Sequence, residues 1–276
     1  MSHPVLTAGR VAVVTGAAMG IGLAACRRFA ALGMRVGMTD TATGELRSAR
    51  AAVARLAPGG DRDVLAVPTD VARLEEIEAL KENVYAVFGE VGLLMNNAVT
   101  RTGGGALGRL EDWQQALDVN FWGVVHGVRA FVPRMIEQGE PCLVINTGSK
   151  QGITNPPGNL AYNVTKSALK TYTEGLQHEL RNTAGCRVSA HLLVPGWTTT
   201  GGREHKPGAW RSDQVVDLLL AALERGDFYI VCPDDEVTPE MDRKRILWAA
   251  GDITENRPPL SRWHPDHVGA FEAFSA

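Results

Sequence analysis

Short, continuous apolar runs alternate along this chain with longer stretches whose apolar residues recur at helical spacing. Val11–Thr15, Met34–Thr39, Val64–Pro68, Gly92–Met95, Pro141–Asn146, Arg187–Val194 and Phe228–Cys232 are the short runs. They are rich in β-branched residues and lack a polar alternate face, which predicts strands of a parallel sheet buried on both sides. Leu23–Leu32, Gly44–Leu56, Arg73–Phe88, Trp113–Ile136, Asn159–Arg181 and Arg211–Arg225 carry the longer period and predict helices. In Trp113–Ile136 the positions Phe121, Val125, Val128 and Val132 form the expected apolar stripe. The alternation predicts an α/β fold: one doubly wound domain with a mainly parallel sheet of about seven strands and helices on both faces.

That pattern covers 1–232 and stops there. The remainder, 233–276, holds a mixed-charge helical piece around Met241–Ala249, the prolines of Arg257-Pro258-Pro259, and Trp263-His264-Pro265-Asp266-His267. No second core is evident in it, and it is expected to pack as a tail on the domain or on a neighbouring subunit. His264, Asp266 and His267 lie close in sequence, but prolines interrupt them and no further ligand follows, so no metal is expected.

Composition narrows the partners. Hydrophobic residues make up 45% of the chain and charged residues 21%, enough apolar material for a large core. The 28 Lys and Arg against 31 Asp and Glu leave a formal charge of −3, so no basic field invites nucleic acid or an anionic membrane. Arg243-Lys244-Arg245 is surrounded by acids and reads as a solvated helix face. Cys26, Cys142, Cys186 and Cys232 lack metal or redox spacing and read as buried thiols. Neither a secretory signal nor a spanning run is present, which points to a cytoplasmic protein with a small-molecule partner.

Candidate chemistry begins directly after the first strand. Gly16-Ala17-Ala18-Met19-Gly20-Ile21-Gly22 leads from strand into helix, and its glycines let backbone approach a pyrophosphate held at the helix N-terminus. This is the arrangement of a Rossmann-type dinucleotide site, with Gly16, Met19, Gly20, Ile21 and Gly22 at the cofactor. Asp40 closes the second strand about twenty residues past the turn, where a carboxylate accepts hydrogen bonds from the adenosine ribose. It would repel a 2′-phosphate, and neither Met19 nor Thr41 supplies a cation, so the expected cofactor is NAD. Asp70 and Val71 follow the third strand; Asp70 could bond an adenine amine or cap the next helix. Asn96-Asn97-Ala98 follows the fourth strand and could line the cofactor or hold the loop.

Farther along, Ser149 leaves the carboxyl end of the fifth strand, where open α/β sheets place reacting groups. Tyr162 and Lys166 stand four residues apart on one helix face, so that the ammonium should favour the phenolate of its neighbour. Pro195-Gly196 turns the sixth strand into Trp197-Thr198-Thr199-Thr200-Gly201-Gly202, a loop that could cap a ligand. Trp197, Trp210 and the loop Gln151–Leu160 suggest a partly apolar pocket.

Taken together, the Thr15–Gly22 turn, Asn96-Asn97-Ala98, Asn120, Ser149, Tyr162 and Lys166 resemble the short-chain dehydrogenase/reductase family from about Val11 to Cys232. The resemblance implies that Tyr162 gives or takes a proton, that Lys166 holds the nicotinamide ribose and stabilises the tyrosinate, and that Ser149 bonds the substrate oxygen. It further implies that Asn120 supports Lys166 through water, and that Pro195, Thr198 and Thr200 belong to the loop meeting the nicotinamide carboxamide. Asn97 joins the cofactor set. The implied reaction is NAD-dependent interconversion of a secondary alcohol and a ketone. An NADPH-dependent ketone reductase or a non-catalytic dinucleotide-binding scaffold are the alternatives. A homodimer or homotetramer is expected, through Trp113–Ile136 and Leu160–Asn182. Two departures stand out: Val99 replaces the usual glycine after Asn-Asn-Ala, and Lys150, expected to point outward, follows Ser149 in place of a small residue.

Overall fold

The computed structural model describes residues 3–201 and 203–275; Met1, Ser2, Gly202 and Ala276 lie outside the described residues, so Gly202 of the expected capping loop is not placed. Strand β1 (Val11–Thr15) is buried along its whole length, as its unbroken apolar sequence requires. Then come α1 (Gly20–Ala31), β2 (Arg35–Asp40), α2 (Thr43–Ala54), β3 (Val64–Pro68), α3 (Leu74–Phe88) and β4 (Leu93–Asn96). The second half runs α4 (Leu110–Leu117), α5 (Gly123–Glu137), β5 (Cys142–Thr147), α6 (Gln151–Thr154), α7 (Leu160–Asn182) and β6 (Val188–Val194). Two short strands, β7 (Thr198–Thr199) and β8 (Trp210–Arg211), pair with each other before α8 (Ser212–Arg225) and β9 (Tyr229–Val231).

Seven strands form one parallel sheet in the order β3-β2-β1-β4-β5-β6-β9. The order reverses between β1 and β4, and the crevice at the carboxyl ends of those two strands is where such sheets take ligands. Alternation of the pleat divides the core. Ala12 and Val14 face the layer of α1, α2 and α8, whereas Val11 and Val13 face the layer of α3, α5 and α7.

Three expectations are corrected. The stretch read as one helix from Trp113 to Ile136 is broken by a π turn at Asp118–Trp122 between α4 and α5. The extra residue in that turn shifts the phase of the helix around it, so Val128 and Val132 are buried while Phe121 and Val125 are only half-buried. Asp70 does not cap α3: Arg73 is the N-cap, and the Asp70 carboxylate accepts from the Ala72 amide at 3.0 Å while its own amide donates to Glu76 at 2.8 Å.

The third correction lies in the tail, whose aromatic packing is local and adds no second core among the described residues but whose cations are not all in solvent. Thr238 caps α9 (Pro239–Thr254), and a 3₁₀ turn at Ser261–Trp263 leads into α10 (Val268–Ala273). Trp248 is buried against the ring edges of Phe271 and Phe274, at 5.5 and 5.4 Å, with the Arg257 guanidinium 3.9 Å from its ring centre. Nor is the cationic run of α9 solvated throughout: Lys244 donates to the Glu272 carbonyl and Arg245 is half-buried. Among the described residues, no helix is long and apolar enough to cross a membrane and no His, Cys, Asp or Glu cluster is placed to hold a metal ion.

Candidate active site

The turn after β1 depends on glycine for reasons of space. Gly16 and Gly20 adopt positive φ of 65° and 59°. A Cβ on Gly16 would lie 2.8 Å from Ala98 Cα, and one on Gly22 would lie 2.2 Å from the Gly16 carbonyl oxygen. The loop after β4 is therefore pressed directly onto the turn. Thr15 Oγ1 fixes it by accepting from the Asn97 and Ala98 amides at 2.9 and 3.0 Å, and the Asn97 side chain donates back to the Thr15 carbonyl at 3.0 Å. Met19, the N-cap of α1, makes no side-chain cap, which leaves the first amides of the helix available to a ligand. Asp40 accepts from the Ala18 and Ala42 amides at 3.1 Å each, so its carboxylate stands at the end of β2 facing the same turn. The crowded glycines, uncapped helix start and strand-end carboxylate fit a dinucleotide.

A cleft of about 460 Å³ runs from this turn to the end of β5. It brings together Gly16, Met19, Gly20, Ile21, Asp40 and Asn97 with Ser149, Tyr162, Lys166, Pro195, Thr198 and Thr200. Val99, exposed, stands on its wall. Gly22, Asp70, Val71 and Asn120 are not on that wall. Gly22 lies beneath the turn, and Val71 is buried so tightly on α5 that a Cβ at Gly123 would come within 2.7 Å of it. Asn120 occupies the π turn, fully buried; it accepts from the Thr100 amide at 2.8 Å and donates to the Thr100 carbonyl and Thr165 Oγ1 at 3.0 and 3.3 Å. These bonds tie the loop after β4 to α7 and do not run to Lys166 directly.

At the reaction end, Asn159 starts α7 by accepting from the Tyr162 amide at 3.4 Å. Helix α6 packs on α7 so closely that a Cβ at Gly152 would lie 2.5 Å from the Lys166 backbone, and this contact carries the Ser149 turn to Tyr162. Ser149 Oγ accepts from the Gln151 amide at 3.2 Å. Lys166 is almost wholly buried, and its Nζ donates to the Thr147 carbonyl at 2.7 Å. Burial lowers its pKa to about 7. Its nitrogen lies 5.8 Å from the Tyr162 ring centre. The expected depression of the tyrosine is not what dominates here: burial raises the Tyr162 pKa, with the Ser149 hydroxyl and the charge of Arg101 pulling against it.

Beyond Tyr162 opens a second cavity of about 450 Å³, sharing Arg101, Ser149, Tyr162 and Thr198 with the cleft and adding Lys150, Gln151, Asn159 and Trp197. Trp210, expected in a pocket, instead bonds Asp235 through its indole at 3.1 Å and pairs β8 with β7. The outward reading of Lys150 is also corrected. Its Nζ lies 2.7 Å from Asp242 and 3.4 Å from Asp234, and both carboxylates are buried. Asp234 accepts in addition from the Trp197 amide at 3.0 Å, so one cluster joins the Ser149 turn, the loop after β6 and α9. Burial raises the Asp242 pKa while Lys150 draws it down. Arg101, Asp234 and Asp242 had no signal in the sequence, because each meets its partner from far away in the chain, and Lys150 stood out there only as a departure after Ser149.

A family model described as short chain dehydrogenase matches residues 10–208. A 1-deoxy-11-beta-hydroxypentalenate dehydrogenase of Streptomyces exfoliatus is 34% identical over 268 residues, covering 92% of this chain and 94% of that one. Among solved structures, a short-chain dehydrogenase/reductase of Burkholderia phymatum in complex with NAD superposes with a TM-score of 0.82 at 30% identity, over 91% of this chain and 96% of its own. A metagenomic short-chain oxidoreductase in complex with NADP gives 0.68 at 27% identity, over 82% and 98%.

Proposed function

The chain belongs to the short-chain dehydrogenase/reductase family, and we propose that it is an NAD-dependent enzyme interconverting a secondary alcohol and a ketone. The observation that carries this reading is the convergence of Ser149, Tyr162 and Lys166 on one wall of a cleft whose other end is the glycine turn and Asp40. The amides of that turn would hold the pyrophosphate and Asp40 the adenosine ribose. Bound NAD supplies the acceptor for a hydride.

The chain's own groups do the rest. Ser149 and Tyr162 hold the substrate hydroxyl between their oxygens and so present its carbon to the nicotinamide. Tyr162 takes the hydroxyl proton as the carbinol C–H leaves with its electron pair, and returns it in the reverse direction. Lys166, whose pKa burial lowers to about 7 in the ligand-free chain, would in its ammonium form hold the nicotinamide ribose and favour the tyrosinate. Asn120 keeps the loop after β4 against α7. Thr198 and Thr200, which line the cleft after the Pro195 turn, would meet the nicotinamide carboxamide.

The name of the Streptomyces relative describes dehydrogenation of a hydroxylated compound, which favours alcohol oxidation as the direction. The NADP complex of the metagenomic relative favours a second reading, an NADPH-dependent ketone reductase. Asp40 weighs against it, since a 2′-phosphate would meet a carboxylate already engaged with the turn. Retention of Ser149, Tyr162 and Lys166 together weighs against a mere dinucleotide-binding scaffold. A cytoplasmic homodimer or homotetramer completes the reading, with Trp122, exposed and stacked on His126, marking the helix face through which copies would meet. A screen of secondary alcohols with NAD and with NADP, followed by absorbance of the reduced cofactor, tests it. Turnover with NAD is the expected result. A consistent preference for NADP would remove the role given to Asp40, and oxidation unaffected by Tyr162→Phe would remove the proposed base.

A further inference from the structure

We infer that the alcohol this site takes carries a carboxylate, and that Arg101 is the residue that binds it. The inference rests on the alcohol-oxidoreductase reading of the cleft and concerns the second cavity that opens from it.

Arg101, an exposed residue, lies on the walls of both the cleft and the second cavity, each of which Tyr162 also lines. Its charge pulls the Tyr162 pKa down, against the burial that raises it. Among the described residues its side chain makes one hydrogen bond, to Thr200 Oγ1 at 3.3 Å, and no ion pair. No Asp or Glu lines the second cavity. The other cation there, Lys150, is held by two carboxylates, Asp234 and Asp242, and is not free to meet a ligand. Among the cations lining the cavity, Arg101 is the one with no carboxylate beside it among the described residues.

A guanidinium presents a planar fork of N–H donors matched to a carboxylate, and a neutral alcohol would leave it with water alone. The volume, about 450 Å³, suits a ring-sized molecule reaching from Ser149 and Tyr162 to Arg101. Gln151, Asn159 and Trp197 supply the remaining polar and apolar wall. Arg101 touches no reacting atom in this arrangement; it sets which alcohols are held and at what distance their hydroxyl lies from Tyr162.

The probe is cyclohexanecarboxylate against the isosteric, uncharged cyclohexanecarboxamide, each titrated calorimetrically into the NAD-loaded full chain. The acid is expected to bind about tenfold to a hundredfold more tightly than the amide, the worth of a charged hydrogen-bonded pair at a half-open site. Arg101→Leu should abolish that difference and Arg101→Lys should keep part of it, while NAD affinity stays within about twofold of the unmodified chain. Equal or undetectable binding of acid and amide by the unmodified chain overturns the inference. So does an acid preference that survives in Arg101→Leu, or a loss confined to NAD affinity, which would make Arg101 a cofactor ligand. A second measurement, oxidation of 3- and 4-hydroxycyclohexanecarboxylate, separates the two readings: an acid preference without turnover would sink the alcohol oxidation and leave the anion site standing.

Discussion

The glycine-turn end of the cleft and its reaction end are built on opposite plans. At the first, residues 16–40 meet the loop after β4, and bonds between short side chains and backbone amides do much of the holding: Thr15 clamps Asn97 and Ala98, and Asp40 clamps Ala18 and Ala42. At the second, the wall is drawn from the loop after β4, the Ser149 turn, α7 and the loop after β6, with the tail's buried carboxylates behind it holding Lys150. Backbone geometry fixes the end that would meet an invariant cofactor, and side-chain charge fixes the end that would meet a particular substrate. The difference teaches where a change should alter binding of NAD and where it should alter chemistry alone.

The sharpest break between the ends is Tyr162→Phe. It should lower turnover about 10²–10⁴-fold, the range for removing a general base, and leave NAD affinity within about twofold, read by fluorescence titration. Next is Lys150→Met, which strands two buried carboxylates and should destabilise the fold by about 3–5 kcal/mol in a denaturant titration. Adding Asp234→Asn and Asp242→Asn should restore most of that loss, since the partners then carry no charge to strand. Asp40→Ala tests the opposite end. It should weaken NAD about tenfold to a hundredfold and narrow the gap to NADP, with little effect on turnover once NAD is saturating.

The remaining contrast concerns pH. Lys166 falls from the ordinary 10.5 to about 7 in the folded chain, so between those values the unfolded chain carries a proton that the folded one has shed. The cost of burying the ammonium is thus complete below about pH 7 and is relieved as pH rises toward 10.5. The thermal midpoint of the ligand-free chain should gain from raising the pH across that window, and Lys166→Met should flatten the gain while abolishing turnover. A midpoint whose slope is the same in Lys166→Met would show that the buried lysine is not its source.

The same contrast decides how much could be read in the sequence. The glycine turn and Asp40 were legible because their partners are near in the chain and their residue types follow from backbone conformation and charge. Tyr162 and Lys166 were legible as a pair four residues apart, but not the balance around the phenol, where burial outweighs charge. The π turn was hidden because an extra residue in a helix changes its phase without changing its composition; Asn120 inside the apolar stripe was its one trace. Lys150 was misread because its counter-charges lie far downstream, Asp234 being 84 residues on, and only the fold shows that they are buried. Trp248 with Phe271 and Phe274 was missed for a like reason, since residues that scattered show no period.

Synthesis on the ribosome runs from the amino end, so the strand-turn-helix that would grip a nucleotide emerges long before Asp234 and Asp242 exist. Until those two carboxylates arrive, the Ser149 turn carries a lysine with nothing to neutralise it. A product ending before Asp234 would carry the glycine turn complete and Lys150 without either of its counter-charges, so the Ser149 turn is the part of the cleft that waits for the last stretch of translation.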